Sequence, residues 1–214
     1  MEVKKMESLK ELYKIGRGPS SSHTMGPEKA CRIFKKHTPD ADRFEAILYG
    51  SLSKTGVGHG TDRVIKITLD PIPCDVVFND EEIELPHPNT MDLIAFKNGE
   101  EINRIRVLSV GGGKIEIIGH KNVDPPKIYD MNSFHEISEH CKQNHMKLWQ
   151  YVEEVEGIEI RDYLMKIWNQ MKSSIHIGLS TEGVLPGGLE VKRKAKRLYY
   201  ESRSEERRVG KECR

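Results

Sequence analysis

Two apolar segments joined by Asn98-Gly99 constrain the fold of this 214-residue chain more than any other feature. Met91 to Lys97 and Ile102 to Val110 have the composition of β-strands, and Asn-Gly between two such runs is a strong hairpin signal. Gly111-Gly112-Gly113 forms the next turn, and Lys114 to Ile118 resumes as a strand. A sheet of sequential strands is therefore predicted in the middle of the chain.

Helical and turn-rich segments precede this hairpin. Gly26 to His37 is predicted as a helix, because Pro27 suits a first turn and apolar residues recur on one face. Thr24 is placed to cap that helix. Phe44 to Leu52 is predicted as a strand running into a turn, followed by the turn-rich segment Lys54 to Asp62.

The remaining segments complete a predicted α+β fold. Asp62 to Leu69 fits either a helix or a strand, Glu82 to Leu85 fits a short strand, and Asn122 to Asp130 reads as a linker. Three helices are predicted beyond the linker, over Ser133 to Asn144, Met146 to Glu156 and Ile160 to Ile177. We therefore expect an N-terminal α/β domain with a small mixed or antiparallel sheet packed by helices, followed by a partial all-helical segment. The boundaries are predicted at 1–130, 131–201 and 202–214.

Charge and composition exclude several classes of function. The chain has 34 basic and 33 acidic residues and a net charge of +1, so no global field would gather nucleic acid or an anionic membrane. No apolar run approaches the roughly 20 residues that span a bilayer, and no signal-peptide core follows Met1. A cytoplasmic location is expected. Four scattered cysteines without CxxC spacing predict isolated thiols and no metal site in this chain.

The last residues have a different character. Ser202 to Arg214 contains Val209 as its clear apolar residue, and such a stretch cannot bury a core. We expect a disordered, non-native tail that resembles sequencing read-through, with the natural sequence stopping near Glu201.

The segment GPSSSHTMGP, from Gly18 to Pro27, concentrates hydroxyl and imidazole groups between rigid corners at a helix start. Such a run offers hydroxyl donors, backbone N–H groups and the positive end of a helix, which together bind a carboxylate or phosphate. The alternative to an anion-binding site is a loop that only caps the following helix. The density of polar groups favours an anion pocket, and its candidate residues are Ser20, Ser21, Ser22, His23 and Thr24.

A second polar segment, GSLSKTGVGHGTD from Gly50 to Asp62, is rich in glycine. His59 lies between Gly58 and Gly60, so its imidazole is available to a ligand, although a flexible turn with an exposed histidine is an equal alternative. The pattern is neither a P-loop nor a dinucleotide fingerprint. Further polar or glycine-rich segments follow at His87 to Thr90, Ser109 to Gly113, and Glu182 to Leu189 before a basic helix over Glu190 to Tyr199.

Taken in order, GPSSSHTMGP, GSLSKTGVGHGTD, HPNTMD, SVGGG and TEGVLPGGLEVKR resemble the iron–sulfur-dependent L-serine dehydratases (L-serine ammonia-lyases) of bacteria. The resemblance runs from about Ser8 to Tyr200. It implies a β domain that handles substrate and the start of a helical α domain. It further implies conversion of L-serine to pyruvate and ammonia, in amino-acid catabolism and gluconeogenesis, by a cytoplasmic homo-oligomer, a dimer.

The resemblance also implies roles for individual residues. His59 would remove the α proton and His23 would act beside it, because imidazole titrates near neutral pH. Ser20, Ser21, Ser22 and Thr24, with Gly58 and Gly60, would hold the substrate and its carboxylate. A [4Fe-4S] cluster would assist loss of hydroxide, but its cysteines belong to a later part of the α domain, so no ligand is assigned to this chain.

Two functions are therefore open. The first is a piece of an L-serine dehydratase, inactive without the missing α domain that carries the cluster. The second is a non-catalytic regulatory domain that binds serine or another small carboxylate, since the β domain also resembles an allosteric substrate-binding domain. Cysteines in a downstream reading frame would favour the enzyme.

Overall fold

A computed structural model describes residues 5–81, 84–121, 125–185 and 190–202. Its strands are β1 (Met6–Glu7), β2 (Arg43–Tyr49), β3 (Cys74–Asn79), β4 (Thr90–Lys97), β5 (Glu100–Gly111), β6 (Lys114–Ile117) and β7 (Lys127–Tyr129). Its α-helices are α1 (Leu9–Leu12), α2 (Gly26–His37), α3 (Gly50–His59), α4 (Thr61–Leu69), α5 (Phe134–Gln143), α6 (Leu148–Glu156) and α7 (Ile160–Ser180). A π-helical turn, Ser21–Met25, runs directly into α2, and the α+β class is confirmed.

The central element is a five-stranded mixed sheet of order β3-β2-β4-β5-β6. Strands β2 and β3 are parallel, and the other neighbours are antiparallel. The hairpin between β4 and β5 turns at Asn98 and Gly99, which have φ of 53° and 85°. Two successive positive φ values are what an Asn-Gly turn supplies, so the predicted hairpin is confirmed.

Helices α2, α3 and α4 cover one face of this sheet. Alternate residues of the two central strands point into the core, as the period of two requires, and they meet buried residues of the helices. The core contains Phe44, Ala46 and Leu48 of β2, Met91, Leu93 and Ala95 of β4, Ala30 and Phe34 of α2, Leu52 of α3, and Ile65 and Leu69 of α4. This packing fixes where the helices begin and end above the sheet.

Several local predictions were wrong. Lys54 to His59 lies within α3, because packing against the sheet overrides the low helix propensity of glycine. Thr24 does not cap α2, since it lies inside the π-helical turn. Lys127–Tyr129 belongs to a strand rather than a linker. Residues 122–124 of that predicted linker, and Glu82 and Ile83 of the predicted short strand, lie outside the described residues.

The segment from Asp62 to Leu69, whose sequence is compatible with either a helix or a strand, is helical. The described residues divide into two compact units, one formed by those within 16–121 and one by residues 5–15 with 125–185 and 190–202. The domain boundary near residue 130 stays a prediction.

The second unit combines the β1–β7 pair with the three predicted helices, whose presence is confirmed. Ser133 and Glu136 form a capping box at the start of α5. The Glu156 carboxylate accepts hydrogen bonds from Ser8 Oγ at 2.7 Å, Leu9 N at 2.6 Å and Tyr129 Oη at 2.9 Å. In the described ranges, no helix combines the length and apolarity needed to cross a membrane.

Two isoleucines of α4 test the sheet packing. Ile65 is 0% exposed and Ile67 is 43% exposed. Ile65→Ala is expected to lower the free energy of unfolding by about 2–5 kcal/mol, since it leaves a cavity, whereas Ile67→Ala should stay within about 0.5 kcal/mol of the parent. Urea denaturation measures both, and equal losses would contradict this packing.

Candidate functional site

Four of the five polar segments converge in the sheet unit. The Ser51 N–H donates to Pro88 O at 2.8 Å, which joins the start of α3 to the HPNT segment. The Ser109 N–H donates to Asn89 O at 2.9 Å, which joins that segment to SVGGG. The backbone of Gly26 lies so close to Ser109 that a Cβ there would overlap Ser109 Oγ. The segments far apart in sequence therefore form one site.

The first segment is a continuous helical start rather than an open loop. The turn Ser21–Met25 leads into α2 without a break, so the positive end of the combined helix lies at Ser20. N–H groups at a helix start have no intrahelical partner and can bind an anion. Thr24 is 0% exposed, and its hydroxyl donates to the carbonyls of Arg17 and Ser20. The Thr24 side chain therefore shapes the segment.

His23 lies at the centre of the site with both ring nitrogens in hydrogen-bond range of several groups. Its Nδ1 lies 3.3 Å from Ser20 Oγ and 3.1 Å from Ser22 Oγ. Its Nε2 lies 3.2 Å from Ser51 O and 3.0 Å from Thr55 Oγ1. A carbonyl oxygen only accepts, so Nε2 carries the proton and Nδ1 of the neutral ring accepts from a serine hydroxyl.

Burial favours this neutral form. Desolvation lowers the pKa of His23 below its ordinary value, and the Coulombic effect of His59 acts in the same direction. The hydrogen bond to the Ser51 carbonyl opposes the shift and does not cancel it. We expect His23 to be uncharged at neutral pH.

His59 ends α3 and is half-buried. Its ring lies over His23, with centroids 4.5 Å apart and planes tilted by 32°. His59 Nδ1 lies 2.8 Å from Thr55 O, so Nδ1 donates the bond and, in the neutral ring, Nε2 keeps a lone pair. His59 is therefore arranged to accept a proton through Nε2.

The glycines of the second segment have different uses. Gly60 terminates α3 with φ of 71°, in the left-handed region that favours glycine. Gly50 has φ of 54°, and a Cβ there would lie 2.5 Å from Pro88 O. Gly58 is an ordinary helical residue one position before His59.

Sequence reasoning missed Ser51 and Thr55. Their positions, together with His59, follow the i, i+4, i+8 spacing of one helix face. That spacing could have indicated a helix with a polar face, but the segment was interpreted as a turn because it is rich in glycine.

The described residues of the fifth segment belong to the other unit. Val184 and Lys192 form an isolated antiparallel bridge, and residues 195–202 are helical. Residues 186–189, which include most of the LPGG sequence, lie outside the described residues. The predicted tail from 203 onward lies outside them as well.

The cysteines of the described chain do not fit an iron–sulfur cluster. Cys31 is fully buried in the core, and desolvation raises the pKa of its thiol strongly. Desolvation also raises the pKa of Cys74 to about 12, so neither thiol provides the thiolate that a cluster requires. Cys141 lies in the other unit, and no group of three or more His, Cys, Asp or Glu side chains within the described ranges could hold a metal ion.

Comparison with known proteins gives the class of the sheet unit. Residues 8–72 match the family described as serine dehydratase beta chain. This range contains the π-helical turn, α2, and the whole of α3 and α4. The part of the chain that is similar to the serine dehydratase beta chain therefore includes both histidines.

Full-length relatives extend the match. The chain is 30% identical to an L-serine dehydratase of Streptomyces coelicolor over 92% of its own length and 55% of that protein. It is 30% identical to L-serine dehydratase 2 of Escherichia coli, over 90% of the chain and 53% of the relative. It is 32% identical to an L-serine dehydratase of Haemophilus influenzae, over 91% and 54% respectively.

The resemblance to L-serine dehydratases is thus confirmed, and the chain spans about half the length of these curated relatives.

The lowered pKa of His23 makes stability depend on pH. The unfolded chain takes up the proton first as pH falls below about 6.5, so the free energy of unfolding should fall by up to about 1.4 kcal/mol per pH unit until the folded pKa is reached. Urea denaturation from pH 7.5 to 5 measures this slope, which His23→Gln should reduce. Histidine ring NMR on the parent gives an independent check, and a His23 midpoint above the ordinary value would contradict the geometry.

The contact of Gly26 with Ser109 gives a second test. Gly26→Ala is expected to cost about 1–3 kcal/mol by overpacking, because the Ser109 side chain is 0% exposed and has little room to move. Adding Ser109→Ala should recover part of the loss. Gly18→Ala is the matched control, since a Cβ at Gly18 meets nothing within 4 Å. Equal stability of all three variants would show that the segments do not meet as described.

Proposed function

We propose that this chain provides the substrate-handling part of an L-serine dehydratase, which converts L-serine to pyruvate and ammonia. The observation that carries this proposal is the stacked histidine pair, with His59 Nε2 left as a proton acceptor beside a hydroxyl-rich helix start. The similarity to proteins named L-serine dehydratase supports the choice of L-serine as substrate.

His59 is the proposed base. Its Nδ1–H is held by the carbonyl of Thr55, which fixes the direction of the Nε2 lone pair. The second histidine beneath it is neutral, so His59 does not have to gain a charge next to an existing one. A base that takes the α proton of an amino acid needs both a fixed direction and an available lone pair.

The start of the combined helix is proposed to hold the substrate carboxylate. Ser20 Oγ and Ser22 Oγ both lie near His23 Nδ1, but that nitrogen has one lone pair to accept with. The two hydroxyl oxygens also lie 3.3 Å apart, so the hydroxyl that does not donate to His23 can donate either to the other serine or to a ligand. Ser21 and the N–H groups at the helix start add further donors, whereas the Thr24 hydroxyl is already engaged.

The glycines at 58 and 60 are proposed to act through the backbone. Gly60 ends the helix directly after His59, and Gly58 leaves the neighbouring turn without a side chain. This keeps the approach to the His59 ring open to a small ligand.

A [4Fe-4S] cluster, where the enzyme uses one, is proposed to be held by residues outside the described ones, because the described thiols do not fit it. The cytoplasmic location, the dimer and the place in gluconeogenesis expected from the resemblance stay predictions. A non-catalytic serine-binding role is not favoured, since it leaves the free Nε2 of His59 without a use.

Activity of the full-length gene product tests this function. Purified anaerobically and supplied with iron and sulfide, it should form pyruvate from L-serine, measured by coupled reduction with lactate dehydrogenase. Saturable binding of L-serine without pyruvate formation would support the regulatory role instead.

His59→Ala tests the base directly. Turnover of L-serine by the full-length product should fall by about 10²–10⁴-fold, since the proton acceptor is removed. His120→Ala, a change at an exposed histidine of the same unit, should retain parental turnover. Near-parental activity of His59→Ala would remove His59 from this role.

A further inference from the structure

One helix face brings three polar residues to the histidine pair. Ser51, Thr55 and His59 succeed one another at four-residue intervals along α3, so their side chains project from one side. The proposed function uses His59 and the backbone carbonyl of Thr55, but neither the Ser51 nor the Thr55 hydroxyl. The contacts of Thr55 indicate a use for that residue as well.

Thr55 contacts both imidazoles through different atoms. Its carbonyl oxygen accepts from His59 Nδ1–H at 2.8 Å. Its hydroxyl oxygen lies 3.0 Å from His23 Nε2, while the hydroxyl proton is donated to Ser51 O at 2.8 Å. The lone pairs of Thr55 Oγ1 therefore face the protonated nitrogen of His23.

His23 in turn supports the ring of His59. The centroids are 4.5 Å apart, and the His23 ring is buried between the π-helical turn and α3. With Nε2 bound by Thr55 and Ser51 and Nδ1 bound by the serine hydroxyls, the His23 ring has one orientation that satisfies both nitrogens. A 180° flip about Cβ–Cγ would put carbon atoms of the ring where the two nitrogens lie, and the hydrogen bonds to the serines and to Thr55 would be lost.

We propose that Thr55 is a positioning residue, whose hydroxyl fixes the orientation of His23 and whose carbonyl fixes that of His59, so that His59 Nε2 points at the α proton of the substrate. This inference rests on the proposed function for its catalytic consequence. The hydrogen bonds between Thr55 and the two imidazole rings do not depend on that function.

Thr55→Val tests the role of the hydroxyl, because valine keeps the shape and lacks the acceptor for His23 Nε2–H. Thr68→Val is the matched control, because Thr68 lies in the neighbouring helix α4 and its Oγ1 donates to the carbonyl four residues earlier, Val64 O, at 2.7 Å. Among the described residues, Thr68 makes no contact with a histidine. Thr55→Ser restores the hydroxyl. Circular dichroism and urea denaturation identify any variant that fails to fold.

The first measurement is ¹⁵N NMR of the histidine rings in the 214-residue chain. In the parent and in Thr68→Val, His23 should show one predominant tautomer with the proton on Nε2. In Thr55→Val the His23 Nε2 signal should shift and its proton should exchange faster with water, because the contact with Thr55 Oγ1 is lost while the Ser51 carbonyl keeps the proton on Nε2. Thr55→Ser should return both. Unchanged ring signals in Thr55→Val would overturn the proposal.

The second measurement is the kinetics of the full-length product. Thr55→Val should lower kcat by roughly tenfold, the rate equivalent of one hydrogen bond, with KM within about threefold of the parent. Thr55→Ser should recover most of kcat, and Thr68→Val should match the parent. A loss confined to KM, or one that Thr68→Val shares, would contradict the positioning role. If the parent forms no pyruvate, the proposed function fails, and the ring signals still decide whether Thr55 holds the imidazoles.

Discussion

The left-handed conformation of Gly50 is the constraint on which the site depends. It turns the chain from the end of β2 directly into α3, in a space that Pro88 O would close to any side chain. Because the helix starts there, its polar face falls beside the π-helical turn. His23 Nε2–H can then donate to groups in two successive turns of α3, and His59 lies over the His23 ring.

Much of the fold follows from sequence patterns because local chemistry and global packing agree in those places. The Asn98-Gly99 hairpin, α2 with Pro27 in its first turn, and the helices after Ser133 all have their own turn or capping residues. The glycine-rich segment from Lys54 to Asp62 was predicted to be turn-rich, whereas glycine within it allows the helix to pack close to the sheet. A Cβ at Gly56 would lie 3.0 Å from the Phe78 ring, so the absence of a side chain at position 56 favours this close packing of the helix against β3.

The site was predictable in part. The sequence indicated both histidines and the serines, since their types and density suit proton transfer and anion binding. It could not indicate that His23 and His59 stack, because the two residues are 36 positions apart in the sequence and only the packing of the helices on the sheet brings them together. Thr55 and Ser51 escaped notice because their helical spacing lies in a glycine-rich segment that was predicted as a turn. Thr24 was assigned to ligand contact, although its hydroxyl faces backbone carbonyls.

The short β1–β7 pair has a consequence for how the sheet unit can be inherited. Met6 lies opposite Tyr129, so the chain segments that lead into and out of the intervening region are hydrogen-bonded neighbours, about 5 Å apart. A module with adjacent entry and exit points can be inserted into a host without displacing the parts on either side, and can be excised and closed by a short linker. The strand pair therefore keeps together the two ends of the chain region that contains the histidine-bearing sheet.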